Sequence, residues 1–169
     1  VEIYGVMQHI EQAGIHSGDS ACSLPPYSLP EKVIKKIKDQ VKVIAKEMDI
    51  IGLMNVQMAY ANKEIFLLEV NPRASRTVPF ISKAYKEPYV NYATKVMLGE
   101  NKLKDFKFSP ELQGYAIKQP VFSFNKFPDV NKQLGPEMKS TGESILFIKD
   151  LNDDDFFELY SRRKMYLTK

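Results

Sequence analysis

Two short polar runs contain side chains of the kinds that bind a metal ion and a phosphate group. The first run is Asn55-Val56-Gln57, and the second is Glu69-Val70-Asn71-Pro72-Arg73-Ala74-Ser75-Arg76. Glutamate, glutamine and asparagine offer hard oxygen ligands, which suit Mg²⁺ or Mn²⁺ better than zinc or copper. Guanidinium groups can bind phosphate oxygens through two parallel hydrogen bonds. Together the runs predict a site where a metal ion is shared with nucleotide phosphates.

A β-hairpin would bring the polar side chains of both runs to one face. Successive side chains of a strand point to opposite faces, so Asn55 shares a face with Gln57, and Glu69 shares a face with Asn71. For any one of these residues alone, an ordinary half-exposed hairpin with a basic turn is the favoured explanation. The whole set on one face favours a binding site.

The length of the turn decides how the two polar pairs are aligned. Asn62-Lys63 predicts a turn between the strands. A two-residue loop would place Gln57 opposite Leu68, whereas a three-residue loop over residues 62–64 places Gln57 opposite Glu69 and aligns the two pairs. We favour the three-residue loop, because it keeps the polar residues together and leaves the apolar face unbroken.

The second strand is expected to end at Pro72, which has no N–H to donate to a ladder. Arg73 and Arg76 follow at helical spacing, which predicts that both lie on the next turn of the chain. The alternative is an ordinary basic turn with no ligand.

Several longer segments resemble the large subunit of carbamoyl-phosphate synthase. They are Gly14 to Tyr27, Gly52 to Gln57, Glu69 to Phe80, Phe124 to Pro128 and Leu134 to Glu143. The similarity extends over nearly the whole chain, and the motif Asn-Pro-Arg-Ala-Ser-Arg within the third segment is specific.

The family's large subunit contains two similar ATP-grasp halves, and two segments resemble the second one. These are Asp19 to Pro26 and Arg76 to Phe80. The resemblance implies ATP-dependent phosphorylation of carbamate to carbamoyl phosphate, for arginine and pyrimidine biosynthesis, rather than production of carboxyphosphate from bicarbonate. It also implies a piece of a longer protein, which starts inside an ATP-grasp domain and stops where a C-terminal allosteric domain would begin.

The same resemblance assigns roles to individual residues. It implies a metal site in which Glu69 bridges two Mg²⁺ or Mn²⁺ ions, with ligands Gln57, Glu69 and Asn71. It implies an ATP or ADP site lined by Gly14, Ile15, His16 and Ser17, with Gln57 and Glu69 also at the nucleotide. Arg76 would meet the transferred phosphate, and the remaining catalytic candidates are Asn55 and Arg73. His16 has a second interpretation as a loop histidine that is hydrogen-bonded locally.

The resemblance implies the rest of the large subunit and a glutaminase small subunit as partners, and carbamate as substrate. Two alternatives stay open. In the first, the chain alone is a folded but inactive structural or assembly module, because it lacks the half of the fold that supplies the adenine pocket. In the second, it belongs to another ATP-grasp carboxylate ligase, such as a biotin carboxylase. The segment 71–76 favours the synthase. We expect the chain alone to be inactive.

Composition is consistent with the family resemblance but would not have revealed it. A chain of 169 residues that is 44% hydrophobic can build one domain-sized core. A net charge of +3, with no basic arm, argues against a nucleic-acid partner. No signal peptide or membrane-spanning run is visible. The single cysteine, Cys22, is expected to be a small buried residue, and a cytoplasmic location is expected.

The predicted fold class is α/β in the broad sense, or α+β: the C-terminal lobe of an ATP-grasp fold with an antiparallel sheet and packed helices, plus a loop-rich extension. We expect a strand over Val1–Ile10 and a loop over Gly14–Tyr27. Ser28 and Glu31 predict a capping box for a helix whose apolar face is Val33, Ile37, Val41, Ile44 and Met48.

Further elements follow the hairpin. Helices are expected over Ser75–Tyr85 and Pro88–Leu98, a strand over Tyr115–Phe122 and a final helix over Asp153–Met165. The expected domains are 1–98 as the C-terminal part of the ATP-grasp domain, 99–164 as an interdomain extension, and 165–169 as the start of a linker.

Overall fold

The computed structural model describes residues 1–108 and 112–150, which form two compact units. The first unit comprises Val1–Val6 with the described part of Ser28–Leu112. The second comprises Met7–Tyr27 with the described part of 113–169. This grouping differs from the predicted division near residue 99, because residues 7–27 belong with the later part of the chain. The assignment of 1–98, 99–164 and 165–169 to parts of a larger enzyme stays a prediction.

The described residues contain antiparallel strands and α-helices, as expected for an α+β fold. In chain order they form β1 (Gln8–His9), β2 (Cys22–Leu24), α1 (Glu31–Glu47), β3 (Asn55–Ala61), β4 (Glu64–Asn71), α2 (Thr77–Tyr85), α3 (Tyr89–Met97), β5 (Tyr115–Val121) and β6 (Gly142–Ile148). The predicted final helix over Asp153–Met165 lies outside the described residues.

Strands β3 and β4 form the hairpin that the polar runs predicted. Gln57 lies opposite Glu69, and Asn55 lies opposite Asn71. The register at the polar end is therefore confirmed.

The turn of this hairpin differs from the prediction. Ala61 pairs directly with Glu64, so the loop contains only Asn62 and Lys63. Both loop residues have positive φ, 51° and 64°, as required of a type I′ turn, whose twist matches that of the strands. The three-residue loop was wrong.

A β-bulge reconciles the short turn with the observed register. Met58 pairs with Leu67, whereas the residue before it on β3, Gln57, pairs with Glu69. Leu68 is therefore an extra residue on β4, and it shifts the register by one beyond the bulge. Without the bulge, the two-residue turn would have set Gln57 against Leu68.

Helix α1 precedes the hairpin and begins at Glu31. Its N-cap is Pro30, with no side-chain capping bond, so the capping box of Ser28 and Glu31 was wrong. The carbonyl of Pro30 instead accepts bonds from the N–H groups of Val33 (2.8 Å) and Ile34 (3.1 Å). The predicted apolar face is mostly half-buried, whereas its last member, Met48, is exposed.

An open apolar groove of about 440 Å³ lies between α1 and the hairpin. Its lining consists of Asp39, Gln40, Val43 and Ile44 from α1, and Met58, Ile65 and Leu67 from the hairpin. Val43 and Leu67 remain more than half exposed, at 58% and 53%. The apolar face of the hairpin is thus only partly covered within this unit.

Helices α2 and α3 confirm the predicted helix pair after the hairpin, although α2 begins at Thr77 rather than Ser75. Phe80 and Tyr89 are almost completely buried, at 0% and 1% exposure. The ring of Tyr4 stacks on that of Tyr89 with centroids 4.0 Å apart. Because this packing takes up the N-terminal segment, the strand predicted over Val1–Ile10 is reduced to Gln8 and His9.

The second unit is built on a four-stranded antiparallel sheet with the order β1-β2-β5-β6. The sequence predicted β5 but placed β2 in a loop, because three residues are too few to show alternation. The buried apolar residues of this unit are Ala21, Cys22, Leu24, Ala116, Ile117 and Phe124. The prediction that Cys22 is a small buried residue is confirmed.

The positive φ at Lys63 yields a stability prediction. A non-glycine residue in this conformation is strained by its Cβ, so Lys63→Gly should raise the free energy of unfolding by about 0.5–1 kcal/mol. Lys63→Val should lower it, because a β-branched residue tolerates positive φ poorly. Urea unfolding of the 169-residue chain measures both; equal midpoints for the two variants would contradict the turn geometry.

Candidate functional site

The open end of the hairpin brings the four oxygen-bearing residues of the polar runs together. Asn55 and Gln57 lie two apart on β3, and their partners Asn71 and Glu69 lie two apart on β4. All four side chains therefore leave the same face of the sheet, with directly opposite Cβ atoms about 5 Å apart. Glu69 is exposed, while the three amide residues are half-buried. The carboxylate is thus accessible and is flanked by amide oxygens.

The hydrogen bonding of Asn55 connects this face to the start of α2. Its Nδ2 donates to Thr77 Oγ1 at 3.3 Å. Thr77 Oγ1 is also hydrogen-bonded to Ser75 Oγ, which accepts a bond from the Thr77 N–H at 3.3 Å. Because the Asn55 nitrogen is engaged there, its Oδ1 is directed to the other side of the amide group.

The two arginines lie in the connection between β4 and α2, and the predicted helical spacing was wrong for them. Arg73 lies four residues before the first residue of α2, and Arg76 occupies its N-cap position. The N–H of Arg73 donates to the Asn71 carbonyl (2.8 Å), and its Nη1 donates to the Ala74 carbonyl (3.0 Å). Pro72 keeps the preceding Asn71 in an extended conformation, which agrees with the end of β4 at Asn71.

Arg76 therefore lies at the N-terminus of a nine-residue helix, and its side chain is exposed. Helix N-termini favour anions, since their N–H groups and the helix dipole present partial positive charge. The guanidinium and the helix end together give this side of the hairpin an anion-binding character.

The donor set of the hairpin fits a hard divalent cation. It contains one carboxylate and three amide side chains, which offer oxygen ligands without thiolate or imidazole. In the described ranges 1–108 and 112–150, no cluster of three or more His, Cys, Asp or Glu side chains was found. A site with several carboxylates is therefore not visible in these residues, and the amides would have to supply most of the ligands.

The predicted nucleotide loop, residues 14–17, belongs to the second unit. Gly14 has φ of 101°, which suits glycine. The N–H of His16 donates to the Gly135 carbonyl (2.8 Å), and its ring Nδ1 accepts a bond from the Gly18 N–H (3.0 Å). This local bond agrees with the second interpretation of His16, as a loop histidine that is hydrogen-bonded locally. The nucleotide role of Gly14, Ile15, His16 and Ser17 stays a prediction.

Two buried charged residues near this loop were not singled out by the sequence. Lys118 of β5 is 3% exposed, and its Nζ donates to the Ser17 carbonyl at 3.0 Å. Asp19 is completely buried and accepts bonds from the N–H groups of Lys139 and Ser140. A charged residue within a mainly apolar strand, as at Lys118, is the signal that could have found the first of them.

His9 of β1 lies in the same unit and is only partly accessible. Burial and, as the smaller cause, the nearby positive charge of Lys118 together lower the pKa of its imidazole from 6.5 to about 4. The imidazole is therefore neutral near pH 7.

Residues 3–105 match the family model of the carbamoyl-phosphate synthase L chain, ATP binding domain. The carbamoyl phosphate synthase large chain of Pseudomonas aeruginosa is 56% identical over 145 residues, which is 85% of this chain and 13% of that protein. The large chain of Pseudomonas syringae pv. tomato is 54% identical over 167 residues, or 98% of this chain and 15% of that protein.

The chain belongs to the carbamoyl-phosphate synthase large-chain family. The matched region includes the hairpin, Arg73, Arg76 and helices α1 to α3. Membership in this family confirms the expectation of an ATP-binding domain. The chain spans 13–15% of the length of these relatives.

Solved structures support the predicted fold. The urea carboxylase of Kluyveromyces lactis superposes with a TM-score of 0.63 at 16% identity, covering 82% of this chain and 14% of that one. The urea amidolyase of K. lactis gives 0.62 at 16% identity, covering 82% of this chain and 10% of that one. At such identity the likeness concerns the fold alone, and it agrees with an ATP-grasp lobe in this member of the synthase family. None of the helices in the described residues has the length and apolar character needed to cross a bilayer.

The lowered pKa of His9 predicts a pH-dependent stability. Between pH 6.5 and about 5 the unfolded chain binds a proton that the folded chain does not bind, so the free energy of unfolding should fall as the pH decreases. The slope attributable to His9 is at most about 1.4 kcal/mol per pH unit. Urea unfolding at several pH values measures it. His9→Gln should flatten the dependence in this range, and an unchanged slope would contradict the assignment.

Proposed function

We propose that the chain contributes the metal and phosphate side of the carbamate-phosphorylating site in a carbamoyl-phosphate synthase large chain. The observation that supports this most directly is the register of the hairpin, which sets Gln57 against Glu69 and Asn55 against Asn71 on one face. The reaction is transfer of the γ-phosphoryl group of ATP to carbamate, in the second of the two ATP-grasp halves. The activity is one of the whole large chain, of which this chain represents a small part.

In this proposal Gln57, Glu69 and Asn71 hold Mg²⁺ or Mn²⁺, and Glu69 bridges two ions. The exposed carboxylate opposite a half-buried amide supports this assignment. Bound divalent ions supply charge neutralisation and alignment of phosphate oxygens. The Nδ2 of Asn55 donates to Thr77 Oγ1, and its Oδ1 is proposed to lie at or close to the metal.

Arg76 is proposed to contact the transferred phosphoryl group, with Arg73 as a second cationic contact. Both side chains are exposed, and Arg76 lies at the N-terminus of α2. Phosphoryl transfer depends on positioning and on stabilisation of charge rather than on a covalent intermediate. A cation beside a helix N-terminus provides that stabilisation without rearrangement during the reaction.

Residues Gly14, Ile15, His16 and Ser17 are proposed to line the nucleotide site. Support comes from two hydrogen bonds that hold the backbone of this loop, from Lys118 Nζ to the Ser17 carbonyl and from the His16 N–H to the Gly135 carbonyl. We further propose the partners implied by the family, namely the rest of the large chain and a glutaminase small subunit, together with a cytoplasmic location and a place in arginine and pyrimidine biosynthesis.

Another ATP-grasp carboxylate ligase is the less favoured assignment. Relatives that are 54–56% identical are named carbamoyl phosphate synthase large chains, whereas the urea carboxylase likeness is at 16% identity. We expect the 169-residue chain alone to bind Mg-ADP weakly and to make no carbamoyl phosphate, since a site assembled from two lobes loses positioning when one is absent.

Glu69→Gln in the full-length large chain tests the metal assignment. The amide keeps the shape of the side chain but removes the charge that would bind two cations. Formation of ATP from ADP and carbamoyl phosphate isolates this half from the bicarbonate half. We expect its rate to fall by about 100-fold or more, the scale of losing one electrostatic group in an active site, and to recover partly at raised Mg²⁺ or Mn²⁺.

The matched control is Glu64→Gln. Glu64 is exposed on the same strand but lies at the turn end of the hairpin, opposite Ala61, and its replacement should leave the rate within about twofold, as for most exposed substitutions. If Glu69→Gln retained near-normal ATP formation at ordinary metal concentration, Glu69 would not be a metal ligand.

A further inference from the structure

Asp19 is a completely buried carboxylate two residues after the predicted nucleotide loop, residues 14–17. Its Oδ1 accepts bonds from the N–H groups of Lys139 (3.1 Å) and Ser140 (2.8 Å), and its Oδ2 accepts a second bond from Lys139 N–H (2.8 Å). A buried carboxylate is costly unless it is hydrogen-bonded, and these bonds join two segments about 120 residues apart in the sequence.

Three consecutive carbonyl groups, those of residues 16–18 at the end of the loop, each accept a hydrogen bond. The carbonyl of His16 accepts bonds from Asp19 N–H (2.9 Å) and Ser20 Oγ (3.3 Å). The carbonyl of Ser17 accepts from Lys118 Nζ (3.0 Å), and that of Gly18 accepts from Ser140 Oγ (3.0 Å). In a trans peptide group, the N–H of the next residue points away from the carbonyl. Fixing these carbonyls therefore also fixes the directions of the N–H groups of Ser17, Gly18 and Asp19, of which Ser17 belongs to the predicted nucleotide loop.

The segment 135–140 packs closely against the same loop. A Cβ added at Gly18 would lie 3.0 Å from Met138 Sδ and 3.1 Å from His16 Nδ1. The carbonyl of Gly135 accepts the His16 N–H at 2.8 Å. Residues 16–18 thus contact this segment at its start, Gly135, at Met138 and at its end, Ser140. Asp19 binds the backbone at the end of the segment.

We propose that Asp19 is a positioning residue for nucleotide binding, which holds segment 135–140 against residues 16–18 and so sets the shape of the nucleotide loop. The proposal rests on the proposed function, in which residues 14–17 line the nucleotide site. A carboxylate is needed because the N–H groups of Lys139 and Ser140 together use both of its oxygens. An asparagine has one acceptor oxygen and would turn an N–H₂ group toward a backbone donor.

The test is Asp19→Asn in the full-length large chain, assayed by ATP formation from ADP and carbamoyl phosphate. We expect the KM for Mg-ADP to rise about tenfold, the scale of losing one hydrogen bond to a charged group, while kcat changes less than about threefold. The matched control is Asp129→Asn, at an exposed aspartate of the same unit, which should leave both parameters unchanged. Bicarbonate-dependent ATP hydrolysis by the other half reports whether the large chain is folded.

Ser140→Ala provides a second variant if Asp19→Asn fails to fold. It removes the bond to the Gly18 carbonyl but keeps the backbone N–H groups that Asp19 binds. We expect a smaller rise in the same KM, about threefold. If both single variants fold, the double variant should raise KM by less than the product of the single effects, because the two residues act on the same contact.

The outcomes separate this inference from the proposed function. If wild type forms ATP but Asp19→Asn has the wild-type KM for Mg-ADP, or loses only kcat or thermal stability, the positioning role is overturned and the proposed function stands. Where Asp19→Asn does not fold, an unchanged KM in Ser140→Ala overturns the role in the same way. If wild type forms no ATP from ADP and carbamoyl phosphate, the proposed function fails and the inference fails with it.

Discussion

The pairing of Gln57 with Glu69 across the hairpin is the constraint on which the candidate site depends. Side-chain direction alternates along a strand, so a slip of one residue would turn either the carboxylate or its partner to the apolar face. The two-residue turn alone would produce that slip. The extra residue at Leu68 corrects it, and a local irregularity of the backbone thereby decides which chemistry the hairpin can present.

The polar end of this hairpin was predictable from the sequence, whereas the route to its register was not. Requiring the polar residues to face one another identified the pairs correctly, since a slip of one residue would have turned one pair to the apolar face. The prediction of the turn was wrong because both Asn62 and Lys63 adopt positive φ, and a lysine gives little indication of positive φ. Bulges have no simple compositional signal, so a longer loop appeared to be the only way to align the pairs.

Other errors have a common physical cause, which is that long-range packing overrode a local pattern. Tyr4 stacks on Tyr89 instead of extending a strand. The cap of α1 is a different case, because there a local contact, the backbone carbonyl of Pro30, replaces the side-chain cap expected from Ser28. Asp19 and Lys118 are bonded to residues about 100 or more positions away. Such contacts are invisible to any argument based on spacing within a short window, and they hold the part of the candidate site that sequence patterns described least.

The position of the single cysteine has a practical consequence. Cys22 is the only thiol in the chain, it is completely buried, and it lies on β2 between the short edge strand β1 and the longer strand β5. A thiol-specific reagent can react with it only when this sheet opens, so the labelling rate under native conditions reports the opening equilibrium of the second unit alone. One unmodified side chain thus provides a native probe of the sheet next to the predicted nucleotide loop, independent of the hairpin.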